Sequence, residues 1–229
     1  MSRNANVSGD GKTRVGAADT REKLLNGTLA VLGEQGIAKT SARTIAAAAG
    51  VNQALVFYHF GSVDGLLAAA CRHGAEQRVA LYRDRLHQVH TLGELVTLAR
   101  ELHATERDGG HLAMLAQLLA GAQKHPRLAP ATAAGLALWT EEIERVLVRV
   151  LAGTPLADFV DAAGTAKAVS ASFIGLELYE GVDPEGATNA LAALEQLAAL
   201  TTALDELGPV VQRAVRARLR QSAPRTGRS

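Results

Sequence analysis

Cysteine is almost missing from this chain: Cys71 stands alone among 229 residues. One thiol closes no internal disulfide, and with no C-x-x-C pair or His/Cys cluster there is no spacing for a structural zinc site, so a reducing compartment fits best. Aromatic residues are also scarce, at 3%, which argues against a pocket that stacks many rings around a flat cation. No apolar run reaches the roughly 18 residues of a membrane span, and Met1 to Thr20 lacks the apolar stretch of a signal peptide. Neither membrane insertion nor secretion is expected, and the expected location is cytoplasmic. Catalytic signatures are missing as well: there is no G-x-S-x-G, H-E-x-x-H, phosphate-binding loop or dinucleotide fingerprint. Cys71 and His73 are two residues apart, so on a helix they point to different faces. No enzyme, cofactor or bound metal is expected.

What the chain has is alanine, leucine and an uneven charge. Hydrophobic residues make up 48% and charged residues 21%, enough for a real core. Up to residue 65 the basic residues outnumber the acidic by seven to five, from 66 to 207 the acidic outnumber the basic by 18 to 11, and from 208 onward six basic residues meet no acid. Any nucleic acid would therefore meet an end of the chain and not its centre. Apolar positions recur at three and four residues over long windows and no stretch alternates cleanly, so the fold class is all-α.

The first 17 residues, with Arg3, Lys12 and Arg14 and no periodic face, read as a flexible basic arm. Asp19 to Gln35 is the first firm helix, capped at Asp19 or Thr20, with Leu25, Leu29 and Leu32 on one face and Gly36 at its end. Ile37 is expected to fold back on the last turn. Thr40-Ser41 starts a short helix to Ala49, Gly50 stops it, Asn52 caps a third to about Phe60, and Gly61-Ser62 restarts a fourth from Val63 to about His90. Further breaks fall at Thr91, Asp108-Gly109-Gly110, His125-Pro126, Gly153-Thr154-Pro155, Gly181 to Pro184 and Gly208-Pro209.

The informative stretch is Thr40 to Phe60, TSARTIAAAAGVNQALVFYHF. Two short helices cross at a steep angle only if the turn takes a left-handed backbone and the touching residue is small. Gly50 supplies the first and Ala46 the second, while Ile45, Ala49, Val51 and Val56 are spaced to face a shared core. This is a helix-turn-helix pattern, whose second helix enters a DNA major groove.

The order TREKLLNGTLAVLGEQGIAKTS, ARTIAAAAGVNQALVFYHF and GSVDGLL resembles the TetR family of bacterial transcriptional regulators over the first quarter to third of the chain. The resemblance implies an N-terminal helix-turn-helix domain at 18–65 and a helical ligand-binding and dimerisation domain at 66–220; the final segment, 221–229, is itself expected to fray into a disordered tail. It places Arg43, with Thr44 beside it, on the helix that meets phosphate or a base edge. Asn52, Gln53 and Ala54 fall at the start of the recognition helix, Phe57, Tyr58 and His59 resemble the family's aromatic phosphate clamp, and Ser62 caps the fourth helix. Phe57 stands where tyrosine is common and Val63 where many members carry a lysine, departures that leave fewer phosphate contacts. The alternative for Phe57, Tyr58 and Phe60 is plain core, with Phe60 the first of them to be buried.

The resemblance further implies a double-stranded DNA operator of palindromic form, a homodimer, repression, and release by a small-molecule effector, for which the low aromatic content favours a largely hydrophobic compound. Candidate effector residues are His103, His111, Met114, Gln117, Leu118, Trp139, Phe173 and Glu177; together they would line one cavity. The alternative is core for Met114, Leu118 and Phe173, a sealed helix contact for Trp139, and ordinary hydrogen bonding for the histidines. Glu177, an acid among Phe173, Ile174, Leu176 and Leu178, is the stronger clue, since such a group is costly to bury unpaired. A small-residue face of Gly164, Ala168, Ala171 and Gly175 and a stripe of Leu191, Leu194, Leu197, Ala198, Thr201 and Leu204 suit a dimer surface or internal packing. The rival reading of the whole is a degenerate member that binds a ligand or a protein without DNA, supported by Phe57 and Val63.

Overall fold

The computed structural model describes residues 10–124, 128–152, 154, 156–205 and 209–222. Every regular element among them is helical: α1 (Asp10–Gln35), a 3-10 turn (Ile37–Lys39), α2 (Ala42–Ala49), α3 (Ala54–Phe60), α4 (Val63–His87), α5 (Leu92–Asp108), α6 (His111–Lys124), α7 (Ala129–Leu151), α8 (Ala162–Glu180), α9 (Pro184–Asp205) and α10 (Pro209–Ser222). The all-α expectation holds, and among the described residues no single helix is long and apolar enough to cross a membrane.

Helix α1 begins nine residues before the predicted cap. Asp19 and Thr20 do not cap it: the Asp19 carboxylate pairs with Lys23 at 2.7 Å and the Thr20 hydroxyl donates to the Gly16 carbonyl at 2.8 Å, both bonds of a helix interior. The segment read as an arm is thus helical from Asp10, while Arg3 and the rest of residues 1–9 lie outside the described residues, as do the side chains of Lys12 and Arg14. Helix α4 ends at His87, three residues early, because α7 caps it: the Arg149 guanidinium donates to Leu86 O at 2.7 Å and Val89 O at 2.9 Å, cationic partners for carbonyls that a helix end leaves bare. Thr91 then opens α5 with a reciprocal cap, its hydroxyl accepting from Glu94 N at 3.1 Å while the Glu94 carboxylate accepts from the backbone of His90 and Thr91. The last predicted break, Gly208, and residues 223–229 of the predicted tail fall outside the described residues.

The chain gathers into two compact units, one from 1–77 with 114–135 and one from 78–113 with 136–229. The first unit therefore takes more than the segment 18–65. Its core is built from α1, α2, α3 and the start of α4: Leu24, Ile45, Val56, Leu66 and Ala70 are fully buried, with Leu25, Ala42 and Ala46 beside them. Beside this lies a smaller cluster of Leu32, Leu67, Leu118 and Leu128, against which Ile37 packs, the expected partner of the Gly36 stop. The second unit is centred on Tyr82, Leu86, Leu98, Leu102, Val146, Leu147 and Val150 from α4, α5 and α7, closed by Ala166 of α8. Within it α9 packs on α5 and α8.

Candidate nucleic-acid interface and effector site

Helix α2 is fixed at both ends by its own sequence. The Ser41 hydroxyl accepts from Thr44 N at 3.1 Å and the Thr44 hydroxyl accepts from Ser41 N at 2.9 Å. At the other end Gly50 sits at φ 65°, ψ 33°, with Gly50 N donating to Ala47 O at 3.2 Å and Val51 N to Ala46 O at 3.0 Å. This paired stop needs the left-handed backbone that glycine adopts without strain. The expected cap shifts by one residue: Gln53 is the N-cap of α3 and makes no side-chain cap bond, while Asn52 before it closes the turn, its side-chain oxygen accepting from Ala54 N at 2.8 Å.

These caps decide which side chains face out. Val56 is buried to 0% exposure, and Leu55 and Phe60 pack against the core. Arg21 lies over the Phe60 ring at 5.0 Å, tying α1 to the end of α3. What remains outside is Arg43, Asn52, Gln53 and Ala54, together with Phe57 at 49% and Tyr58 at 80% exposure, with His59 edge-on to Tyr58 at 4.9 Å. Thr44 stands apart from these, since its hydroxyl is already engaged with Ser41 and the Lys39 carbonyl. Val63, in the place of the lysine implied by the resemblance, is half-buried against both apolar clusters of its unit.

Two positions escaped the sequence reading. A side chain at Gly27 would meet the Ala49 backbone nitrogen at 3.0 Å, so this glycine is where α1 and α2 touch. At Gly65 a Cβ would meet the Phe60 carbonyl at 2.5 Å, while Gly65 N donates to the Ser62 hydroxyl at 3.0 Å; the turn between α3 and α4 closes over a residue without a side chain. The only sequence signal for either is a glycine inside a helical pattern, which marks close packing.

The effector candidates separate by unit. Met114, Gln117 and Leu118 belong to the first: Leu118 is core, Met114 packs on it, and Gln117 is exposed with its side-chain oxygen toward Gly36. His103, His111, Trp139, Phe173 and Glu177 belong to the second. There His103 is 3% exposed, faces the Phe173 ring edge-on at 5.4 Å, bonds Glu180 at 2.8 Å and lies 4.0 Å from Glu177. Trp139 packs against Tyr82 with ring centroids 6.0 Å apart. Glu180, one turn after Glu177, was not among the candidates, although the i, i+3 spacing of two acids carries the signal.

The second unit holds charge in its interior. Buried Glu106 accepts from the Tyr82 hydroxyl and pairs with Arg78 at 3.3 Å, and Arg78 also contacts His111. Burial, then the bond and charge of Glu106, push the Tyr82 phenol up to about 12, so it stays a donor. Burial first, and then the neighbouring Arg78, hold the His111 imidazole below its ordinary value against the pull of Glu106. Glu142, 3% exposed, is raised by burial but brought below the usual range by hydrogen bonds from Arg145 at 2.8 Å and Arg83 at 3.0 Å. Of these groups Arg83, Glu142 and Arg145 border a cleft of about 420 Å³, with Val79, His87, Leu138 and Glu141.

The proposed dimer face of α8 is open: Gly164, Ala168, Ala171 and Gly175 are all exposed. Exposed Leu178, Tyr179 and Val182 continue it, and Leu194, Leu197 and Leu200 at 46–62% exposure lie along α9 with the half-buried Leu191. The side chains of Ala198, Thr201 and Leu204 fall outside the described residues.

Residues 24–70 match the sequence model described as bacterial regulatory proteins, tetR family. The HTH-type transcriptional regulator UidR of Escherichia coli (strain K12) is 23% identical over 113 residues, which take in 49% of this chain and 57% of that protein, so the match spans little more than half the length of the relative. Among solved structures, the multidrug binding protein EbrR complexed with imidazole is 28% identical with a TM-score of 0.54, covering 76% of this chain and 93% of that one. Salmonella enterica GusR shares the fold at a TM-score of 0.61 and 22% identity, covering 81% and 95%. A capped α2, a left-handed turn at Gly50 and an outward-facing α3, inside the stretch that the family model matches, agree with these likenesses: residues 24–70 carry the helix-turn-helix segment that the tetR-family model describes, and the chain is similar to the regulators that share it.

Proposed function

We propose that this chain acts as a transcriptional repressor, that it binds a roughly palindromic operator as a homodimer through α2 and α3, and that a small, largely hydrophobic effector releases it. The observation that carries the reading is the first turn of α3. Asn52, Gln53 and Ala54 are exposed on a helix whose opposite face is anchored by the fully buried Val56, and exposed Phe57 and Tyr58 continue that outer face. The Tyr58 hydroxyl and an imidazole N–H of His59 are donors that a phosphate backbone can accept. The Asn52 side-chain oxygen is occupied at Ala54 N, which leaves its amide as a donor. Gln53 keeps both groups for an adenine edge, Ala54 meets a thymine methyl, and Arg43 reaches phosphate. Thr44 supports the interface as a cap.

The open small-residue face of α8 and the exposed leucines of α9 support a second copy as the partner, and two-fold symmetry then imposes a palindrome. His103, Phe173 and Glu177 on α5 and α8, with Trp139 on α7, mark where an effector is best sought. EbrR, solved with imidazole and with proflavin, makes drug-like compounds the first to screen. Effector and operator would be coupled by ~1–3 kcal/mol, no more than the effector's preference between two states. Helix α4 contributes residues to both units and is the natural lever, with Gly61 at its entry.

An electrophoretic shift with the DNA flanking its own gene, at low salt, tests the reading. Wild type is retarded, Gln53→Ala loses roughly 1–3 kcal/mol of operator affinity with helicity unchanged, and a candidate effector reverses the shift. A chain that ignores every such DNA at low salt refutes it.

A further inference from the structure

One side-chain cluster joins α5 to α8 in the second unit. Glu177 and Glu180 bring two carboxylates to the buried His103, and their ligand atoms with His103 Nε2 all lie within 4.8 Å of one another. Arg107 balances one of them, pairing with Glu180 Oε1 at 2.6 Å. The other oxygen of Glu180 faces His103 Nε2 at 2.8 Å, and a proton on that nitrogen satisfies this contact alone. Glu177 Oε2 is buried, has no hydrogen-bond partner, and at 4.0 Å from Nε2 stands beyond hydrogen-bond reach. An oxygen in that position costs stability until a hydrogen-bond donor or a cation meets it.

We propose that His103, Glu177 and Glu180 bind a divalent transition-metal cation of the zinc class. One imidazole nitrogen and two carboxylate oxygens form a three-ligand set that leaves a fourth position open. Ligand atoms about 2.1 Å from a tetrahedral centre lie about 3.4 Å apart; the two separations from His103, 2.8 and 4.0 Å, bracket that value, and the two carboxylate oxygens lie within 4.8 Å of each other. A metal drawn between them lengthens the first contact, shortens the second, and gives Glu177 Oε2 the partner it lacks. Arg107 then orients Glu180 from behind, the place of an outer-shell partner, and the Phe173 ring fixes the plane of the imidazole. Cys71 is no competitor: burial pushes its thiol up to about 11, and the thiolate is the metal-binding form.

Titration of the untagged, metal-stripped full chain with zinc chloride or cobalt chloride alone tests this by calorimetry and absorption, without DNA or effector. One ion per chain is expected, with a cobalt spectrum of nitrogen and oxygen ligands and a rise in Tm on zinc addition. Glu177→Gln, which keeps the shape and removes the charge, weakens binding at least about tenfold and abolishes the Tm rise, whereas Glu22→Gln leaves both unchanged. Glu180→Gln is the second variant, to be read alongside circular dichroism. No saturable binding, wild-type affinity in Glu177→Gln, or a thiolate charge-transfer band overturns the proposal; loss of DNA binding with intact metal binding would count against the operator reading instead.

Discussion

The two units hold their helices together by different means. Around α2 and α3 the described core carries no charge: Leu24, Ile45, Val56 and Leu66 are at 0% exposure, the one buried hydroxyl beside them, Thr28, bonds the Leu24 carbonyl, and charges such as Lys23 and Arg43 remain outside. In the second unit Glu106, Glu142 and His103 lie inside, each tied to a partner on another helix. An apolar core is indifferent to which residues meet, whereas a buried charge is stable in only one arrangement. The first unit therefore suits a rigid support for an outward-facing helix. The second is built of pairs whose rearrangement costs energy, the property needed by a part that reports a bound ligand.

The largest test of that contrast lies in the first unit. Ile45→Ala removes a fully buried side chain where α2 meets its core and is expected to cost about 2–5 kcal/mol in chemical denaturation. A midpoint close to wild type would show that the unit is not organised around α2. In the second unit the equivalent blow is electrostatic. Glu106→Leu leaves the buried Tyr82 hydroxyl and the half-buried Arg78 without their acceptor, an expected loss of about 3 kcal/mol. Breaking the exposed Asp19–Lys23 pair should cost under about 0.5 kcal/mol. If Glu106→Leu proved equally mild, the interior charges would be ornament and the contrast would fall.

Gly50→Ala is expected to cost less, about 1–2 kcal/mol. Nothing lies within 4 Å of the added methyl, so only the left-handed backbone resists it. Because the change alters the angle at which α3 leaves α2, operator affinity should fall further than stability does; equal losses would argue that the turn serves folding alone.

The contrast also explains what could be read in advance. Ser41 and Thr44 are three residues apart, Gly50 follows its helix directly, and Asn52 binds the backbone two residues ahead; such signals act within one turn of chain, and the motif is legible from them. In the second unit the deciding partners are 28, 59 and 77 residues apart for Arg78–Glu106, Arg83–Glu142 and His103–Glu180. No local pattern encodes such pairs, so the sequence marks Glu177 as an acid among apolar residues but gives Glu180, one turn on, no partner. Asp19 and Thr20 show the opposite failure, as good capping residues overridden by a helix that starts at Asp10. Gly65 was invisible because its reason is a backbone oxygen from the preceding helix.

The smallest expected effect is a pH slope that only the second unit should show. The His111 imidazole is held below its ordinary value in the folded chain, by burial and by Arg78. Above the unfolded value of about 6.5 both states are neutral there and the stability contribution is complete. As pH falls below that point the unfolded chain takes up the proton first, so stability declines until the folded imidazole also protonates. Glu142 acts in the same direction in a lower window: its carboxylate contributes fully above an unfolded value of about 4.3 and loses that contribution as pH falls through its lowered folded value. Denaturation midpoints between pH 7 and 5 should therefore slope in wild type and flatten in His111→Gln, while the decline below pH 4.3 persists. A slope unchanged by His111→Gln would place the titrating group elsewhere, and a slope of the opposite sign would mean that Glu106, not burial and Arg78, governs the imidazole.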